Sequence, residues 1–173
     1  SGISTFRDAN GLWNNHKIEE VASPEGFEKN PQLVLDFYNA RRRQLDEVAP
    51  NDAHNLIAQL ETKYNVTVIT QNIDDLHEKA GSTNVLHLHG ELRKSRSSKN
   101  HKLVYDCNED IKLGDLASDG NQLRPHIVWF GEPVPMIEPA TILVQEAEVL
   151  VVIGTSLQVY PAAGLVNLVK TNT

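Results

Sequence analysis

The chain has 173 residues, a formal net charge of -7, and 40% hydrophobic and 23% charged residues. This balance describes an ordinary globular domain, alone or with a small insertion, and argues against general nucleic-acid binding. No apolar run approaches the roughly 18–20 residues that cross a bilayer, and the single cysteine, Cys107, excludes an intrachain disulfide and a four-cysteine zinc site. With no basic-then-apolar leader before the first element, the expectation is a soluble, cytoplasmic protein without nucleic-acid or membrane partners.

In chain order, Ser1 to Arg7 opens the sequence with no strand ahead of it. Residues 8–30 read as irregular loop, with Asn10-Gly11, Asn14-Asn15 and Ser23-Pro24 as turn signals. From Pro31 to about Val48 the pattern becomes helical: Asn30 suits the N-cap and Pro31 the first turn. Leu33, Val34, Phe37, Tyr38 and Arg41 share one broad face of that helix. A second helix is expected from about Asp52 to Tyr64, with Ala53, Leu56, Ile57 and Leu60 as its apolar set. Val66 to Thr70 is a β-branched run suited to a buried strand. A short helix from Asp74 to Ala80 ends at Gly81, and Val85 to His89 alternates as a strand.

Residues 91–122 are polar and weakly periodic, and read as an inserted small module. Leu123 to Phe130 reads as strand and strand end, 136–147 as helix and Val149 to Ile153 as a buried strand. A helix is expected near Pro161. Helices alternating with short apolar strands predict an α/β fold with a parallel sheet. Ligands of such sheets bind at the carboxyl ends of the strands. Three polar clusters fall there: Gln71-Asn72-Ile73-Asp74, His89-Gly90 and Gly154-Thr155-Ser156.

Each cluster has a plain reading and a chemical one. Gly154-Thr155-Ser156 is a strand-to-loop turn, or a place where amides and hydroxyls meet a phosphate or ribose. Gln71, Asn72 and Asp74 could bind ribose hydroxyls and an amide, or Asn72 or Asp74 could cap the next helix. His87 and His89 share a strand face. No third ligand suggests a metal, so His89 is read as a candidate general base and His87 as structural. Tyr38 and Arg41 lie three apart on one helix and can converge on a carboxylate, or be a packed Tyr beside the solvated run Arg41-Arg42-Arg43.

Taken together, Ser1 to Arg7, Thr-Gln-Asn-Ile-Asp-Asp-Leu-His at 70–77, His-Leu-His-Gly at 87–90, Leu-Arg-Pro-His-Ile-Val-Trp-Phe-Gly-Glu at 123–132 and Val-Ile-Gly-Thr-Ser-Leu-Gln-Val-Tyr-Pro-Ala-Ala at 152–163 resemble the sirtuins. The resemblance covers nearly the whole chain outside about 97–121. It implies a Rossmann-like parallel sheet with helices on both faces, formed by 1–90 and 123–173. A helical insertion would occupy about 8–50, and a small module at 91–122 would replace the zinc-binding one. It implies an NAD-dependent protein-lysine deacylase acting on acylated lysine peptides or proteins. His89 matches the catalytic base and Asn72 a polar residue near the reacting ribose and its water site. Phe6, Arg7, Gln71, Asn72, Asp74, Gly154, Thr155 and Ser156 match cofactor-binding positions.

Val128, Trp129, Phe130, Gly131 and Glu132 match the segment on which the substrate backbone adds as a strand. The implied reaction has the acyl oxygen attack the ribose carbon as nicotinamide leaves, with His89 then helping a ribose hydroxyl take the acyl group. Free lysine and O-acyl-ADP-ribose result. Tyr38, Arg41 and Ala22 are similar to the acyl-pocket residues of the class III, desuccinylase-like branch, which implies succinyl, malonyl or glutaryl groups. Plain deacetylation, mono-ADP-ribosyl transfer and non-catalytic nucleotide or peptide binding remain alternatives.

Two departures stand out. Lys94 to Ser97 and Asn100 occupy the places of the first zinc cysteines, and the later pair is absent too, so no zinc is expected. Residues 91–122 would then be held by other contacts and form the most mobile part. The family's first strand and Gly-Ala-Gly phosphate loop are expected ahead of Ser1, and a further strand with an Asn-x-Glu motif after the last helix.

Overall fold

The computed structural model describes residues 12–13 and 16–170. Two short strands, β1 (Leu12–Trp13) and β2 (His16–Lys17), pair antiparallel and lead into α1 (Ile18–Val21) and α2 (Pro24–Lys29). These helices fall where the sequence suggested loop. Ser23 starts α2 by accepting a 2.9 Å bond from the Gly26 amide. Gly26 is needed for the approach to α1, because a Cβ there would come within 2.5 Å of the Glu20 carbonyl oxygen.

The expected long helix is α3, Pro31–Gln44. Asn30 accepts from the Leu33 amide at 3.2 Å, and Pro31 fills the first turn. Arg41, Arg42 and Arg43 fill the last turn, where cations complement the helix dipole. Its inner face buries Val34, Leu35, Phe37 and Tyr38 against Val21, Ala22, Phe27, Leu92, Ile111, Ile127 and Trp129. The helix α4 (Asp52–Leu60) is shorter than expected, and its apolar set is not buried: Leu56 is 60% and Leu60 47% exposed.

The parallel element consists of β3 (Val68–Thr70) and β4 (Val85–His87), paired Val68 to Val85 and Thr70 to His87. The connection between them carries α5 (Leu76–Lys79). Leu88, Ala140, Val144, Ala162 and Leu165 form a second core cluster over this pair, using α6 (Ile137–Glu146) and a 3-10 helix at Ala162–Leu168.

The expected strand at 149–153 forms no ladder, and Val149 and Val151 are 76% and 69% exposed. Burial of such a run requires partner strands on its flanks, and no described residue pairs with it.

Residues 91–122 differ most from expectation. A long strand, β5 (Gly90–Ser97), takes β6 (Val104–Asp106) on one edge and β7 (Leu123–Ile127) on the other, both antiparallel. The region is fastened to α3. Asn39 donates to the Ile111 carbonyl at 2.8 Å and accepts from the Ile111 amide at 2.9 Å. The buried Arg42 donates to the Leu92 carbonyl at 2.7 Å and the Glu109 carbonyl at 3.2 Å. Arg43 pairs with Asp110. Ser97 donates to Asp119 and accepts from the Lys99 and Asn100 amides, closing the turn where cysteines were missing. Among the described residues no group of three or more His, Cys, Asp or Glu side chains could hold a metal ion.

Candidate functional site

The site is built where β3 and β4 end. Beyond Thr70 the chain turns, with the Asn72 amide donating to the Thr70 hydroxyl at 3.0 Å. Asn72 is exposed and Gln71 half-buried. Asp74 accepts from the Leu76 amide at 3.1 Å, so this carboxylate does in part what the plain reading offered, bonding the entry to α5. Asn72 makes no such cap.

His89 lies between two sheets. Its carbonyl accepts from the Val128 amide at 2.9 Å, and its Nδ1 lies 3.1 Å from the Gln71 carbonyl oxygen. A carbonyl can only accept, so Nδ1 carries the hydrogen and Nε2 is the basic nitrogen. Partial burial lowers the His89 pKa, and the bond to Gln71 only partly opposes this. The ring is therefore neutral at neutral pH, as a general base must be. Gly90 secures the position: its φ is +84°, and a Cβ there would lie 1.9 Å from the His126 carbonyl oxygen.

The third cluster joins the first two. Gln71 donates from Nε2 to the Thr155 hydroxyl at 3.3 Å. Thr155 also accepts from the Leu157 amide at 3.1 Å, and Gly154 has a φ of +66° that suits a tight turn. Gly154, Thr155 and Ser156 are exposed. One residue, Gln71, thus touches the candidate base through its backbone and the Gly-Thr-Ser turn through its side chain. Phe6 and Arg7 lie outside the described residues.

Of the segment at 128–132, Phe130 and Gly131 are exposed, whereas Trp129 is buried. The Trp129 indole donates to the Tyr38 hydroxyl at 3.0 Å, and the Phe130 amide donates to the Ala22 carbonyl at 3.0 Å. The Glu132 side chain faces inward, which its place in that segment did not suggest. It accepts from Arg124 at 2.7 Å, from Arg96 at 3.0 Å and from the Trp129 amide at 2.8 Å. Arg124 also stacks on the Trp129 ring, 3.3 Å from its centroid. Sequence reasoning did not single out Arg96, Arg124 or Glu78. Arg124 stood inside a recognised motif, but nothing in spacing connects Arg96 to Glu132.

Tyr38 and Arg41 are both buried on α3, with Ala22 in the same core cluster as Tyr38. Burial pushes the Tyr38 phenol well up, against the indole bond and the Arg41 charge, and keeps it protonated. Arg41 rests 3.5 Å from the Phe37 ring centroid and donates to the Phe37 carbonyl at 3.2 Å. Burial lowers its pKa to about 10, so it is still a cation at neutral pH.

A Sir2 family model matches residues 1–161. The chain belongs to the Sir2 family. An NAD-dependent protein deacylase of Helicobacter pylori is 64% identical over 165 residues, covering 95% of this chain and 72% of that protein. The solved structure of a Sir2 homolog–NAD complex superposes with a TM-score of 0.86 at 43% identity, covering 98% of this chain and 68% of that one. A Sir2 structure bound to a propionylated peptide gives a TM-score of 0.74 at 34% identity, with 87% and 67% covered. The α/β, Rossmann-like arrangement is therefore that of the Sir2 fold, and the clusters at 70–74, 87–90 and 154–156 sit within the matched residues.

Proposed function

We propose that this Sir2 chain is an NAD-dependent protein-lysine deacylase, on the strength of the Gln71 bridge between His89 and Thr155. The residues present fit a dinucleotide. Polar, accessible groups on Gln71, Asn72, Thr155 and Ser156 flank a neutral imidazole, and the glycine turn at 154 opens backbone beside them. Bound NAD would supply an electrophilic ribose carbon for the acyl oxygen, with nicotinamide as leaving group, and a ribose hydroxyl to receive the acyl group. Gln71 and Asn72 would orient the ribose hydroxyls, Asp74 would meet the carboxamide, and Thr155 and Ser156 would hold the adenosine side. Nε2 of His89 takes the hydroxyl proton, while the Gln71 carbonyl keeps the ring in the required tautomer. The exposed Phe130-Gly131 stretch lies in the segment along which an acyl-lysine peptide would dock.

Negatively charged acyl groups are the preferred substrates in this reading. Arg41 is a cation near Tyr38, and its planar guanidinium suits the carboxylate of a succinyl, malonyl or glutaryl group. Incubating NAD with a panel of acyl-lysine peptides and detecting O-acyl-ADP-ribose by mass spectrometry tests the activity. Arg41→Met is expected to cut desuccinylation far more than deacetylation, whereas equal losses would refute the pocket. Residues 91–122 are proposed to fold without zinc, supported by the Asn39 and Arg42 bonds and the Glu132 ion pairs. Stoichiometric zinc in the purified protein would refute that.

A further inference from the structure

His87 ends β4 with its side chain only 7% exposed. Its Nδ1 lies 3.1 Å from the Asn72 carbonyl oxygen, and its Nε2 lies 2.7 Å from Glu78 Oε1. A carbonyl and a carboxylate both accept only, so both ring nitrogens must carry hydrogen and the ring is an imidazolium. His89, two residues later, meets a single acceptor, the Gln71 carbonyl. The two rings therefore grip consecutive carbonyls of one turn, one as a cation and the other neutral. Glu78 sits on α5, directly after that turn, so the pair ties the turn, the helix and β4 together.

We propose that His87 and Glu78 are a positioning pair. The carboxylate holds His87 as an imidazolium, the imidazolium pins the Asn72 carbonyl, and the pinned turn presents Gln71 and Asn72 beside His89. Deprotonation of His87 releases the turn. The effect on turnover rests on the deacylase reading, but the charge state of the ring does not.

The groups facing the ring are Glu78 and His77 from α5 and Glu91 from β5, with Asn72 from the turn. Asp74 faces His77, and His54 of α4 stacks on His77 with ring centroids 4.6 Å apart. Burial opposes a charge on His87, but the Glu78 bond, the Asn72 carbonyl and the field of Glu91 outweigh it, and the pKa is raised. His77 moves the other way, because burial and the neighbouring His54 disfavour its charge. The sign follows. The clamp is complete at lower pH and lost as pH rises through the raised His87 pKa. The neutral form of His89, with its lowered pKa, is lost only as pH falls. Activity should fill the window between the two.

Imidazole 15N NMR of the whole chain, together with kcat and KM across pH, tests the pair. The wild-type His87 ring is expected to be doubly protonated at neutral pH. Glu78→Gln should lower its pKa and bring the alkaline fall of kcat down with it. It should also cut kcat about tenfold with the peptide KM little changed. His87→Gln keeps an N–H donor for Asn72 but cannot titrate, so its alkaline fall should disappear. A neutral His87 ring in the wild type at neutral pH overturns the clamp whatever the activity, as does a Glu78→Gln profile identical to wild type. An imidazolium at His87 in a protein that turns over no acyl-peptide with NAD supports the clamp and overturns the deacylase reading.

Discussion

The two halves of the molecule solve opposite problems. Around α3 and the antiparallel sheet, charged side chains point inward onto partners: Arg42 onto carbonyls, and Arg96 and Arg124 onto Glu132, although Arg42 Nη2, Arg96 Nε and Arg124 Nε find none among the described residues. Around the ends of β3 and β4, the polar side chains of Asn72, Thr155 and Ser156 point outward, and the apolar run at 149–153 is exposed beside them. Polar groups that are buried and satisfied lend rigidity. Polar groups left accessible lend chemistry, because a substrate can replace their water. Stability and activity should therefore be separable by mutation.

The largest separation is expected at His89. His89→Ala should lower deacylation by about 100- to 10,000-fold with a nearly unchanged urea midpoint. A comparable loss of both would erase the contrast. At the other pole, Glu132→Gln leaves two buried guanidinium groups without their shared counter-charge and should cost about 3–5 kcal/mol in urea denaturation. A mild cost would mean that the inward network is incidental.

A pH titration sharpens the comparison further. Burial, helped by Arg96, lowers the pKa of His126 on β7 to about 4. Between the ordinary histidine value and about 4 the unfolded chain binds a proton that the native one refuses, so stability falls as pH drops through that window. His126→Gln should flatten this slope when midpoints are compared across pH, and leave the acid limb set by His89 in place. The smallest effect is expected at the helix start, where Asn30→Ala should cost about 1 kcal/mol, read by thermal unfolding, without a change in turnover.

The legible parts of this molecule were those set by local rules. The α3 cap at Asn30, its inner stripe, the β3 and β4 runs and α6 all follow from spacing and propensity, and the structure places them within a few residues of expectation. The clusters at 70–74 and 87–90 were legible as strand ends, where the parallel pair places them, whereas Gly154-Thr155-Ser156 follows no strand among the described residues and joins them through Gln71. What stayed hidden depends on partners distant in sequence. The sheet at 90–127 is held by Asn39, Arg42 and Arg43, more than 40 residues away, and its polar strands carry little alternation to announce them. Trp129 and Glu132 looked like surface for a peptide because nothing local says that Tyr38, Arg96 and Arg124 are waiting inside. The run at 149–153 was misjudged for the converse reason: apolar residues specify a strand only when neighbours exist to pair with it.

The residues from Val85 to Ser97 serve two masters. Up to His87 they belong to a parallel pair, and from Gly90 onward to an antiparallel one. His89 is the seam, its peptide oxygen fastened to Val128 and its ring to Gln71. The direction of the imidazole is thus fixed by the backbone of both sheets at once, with no hinge between them.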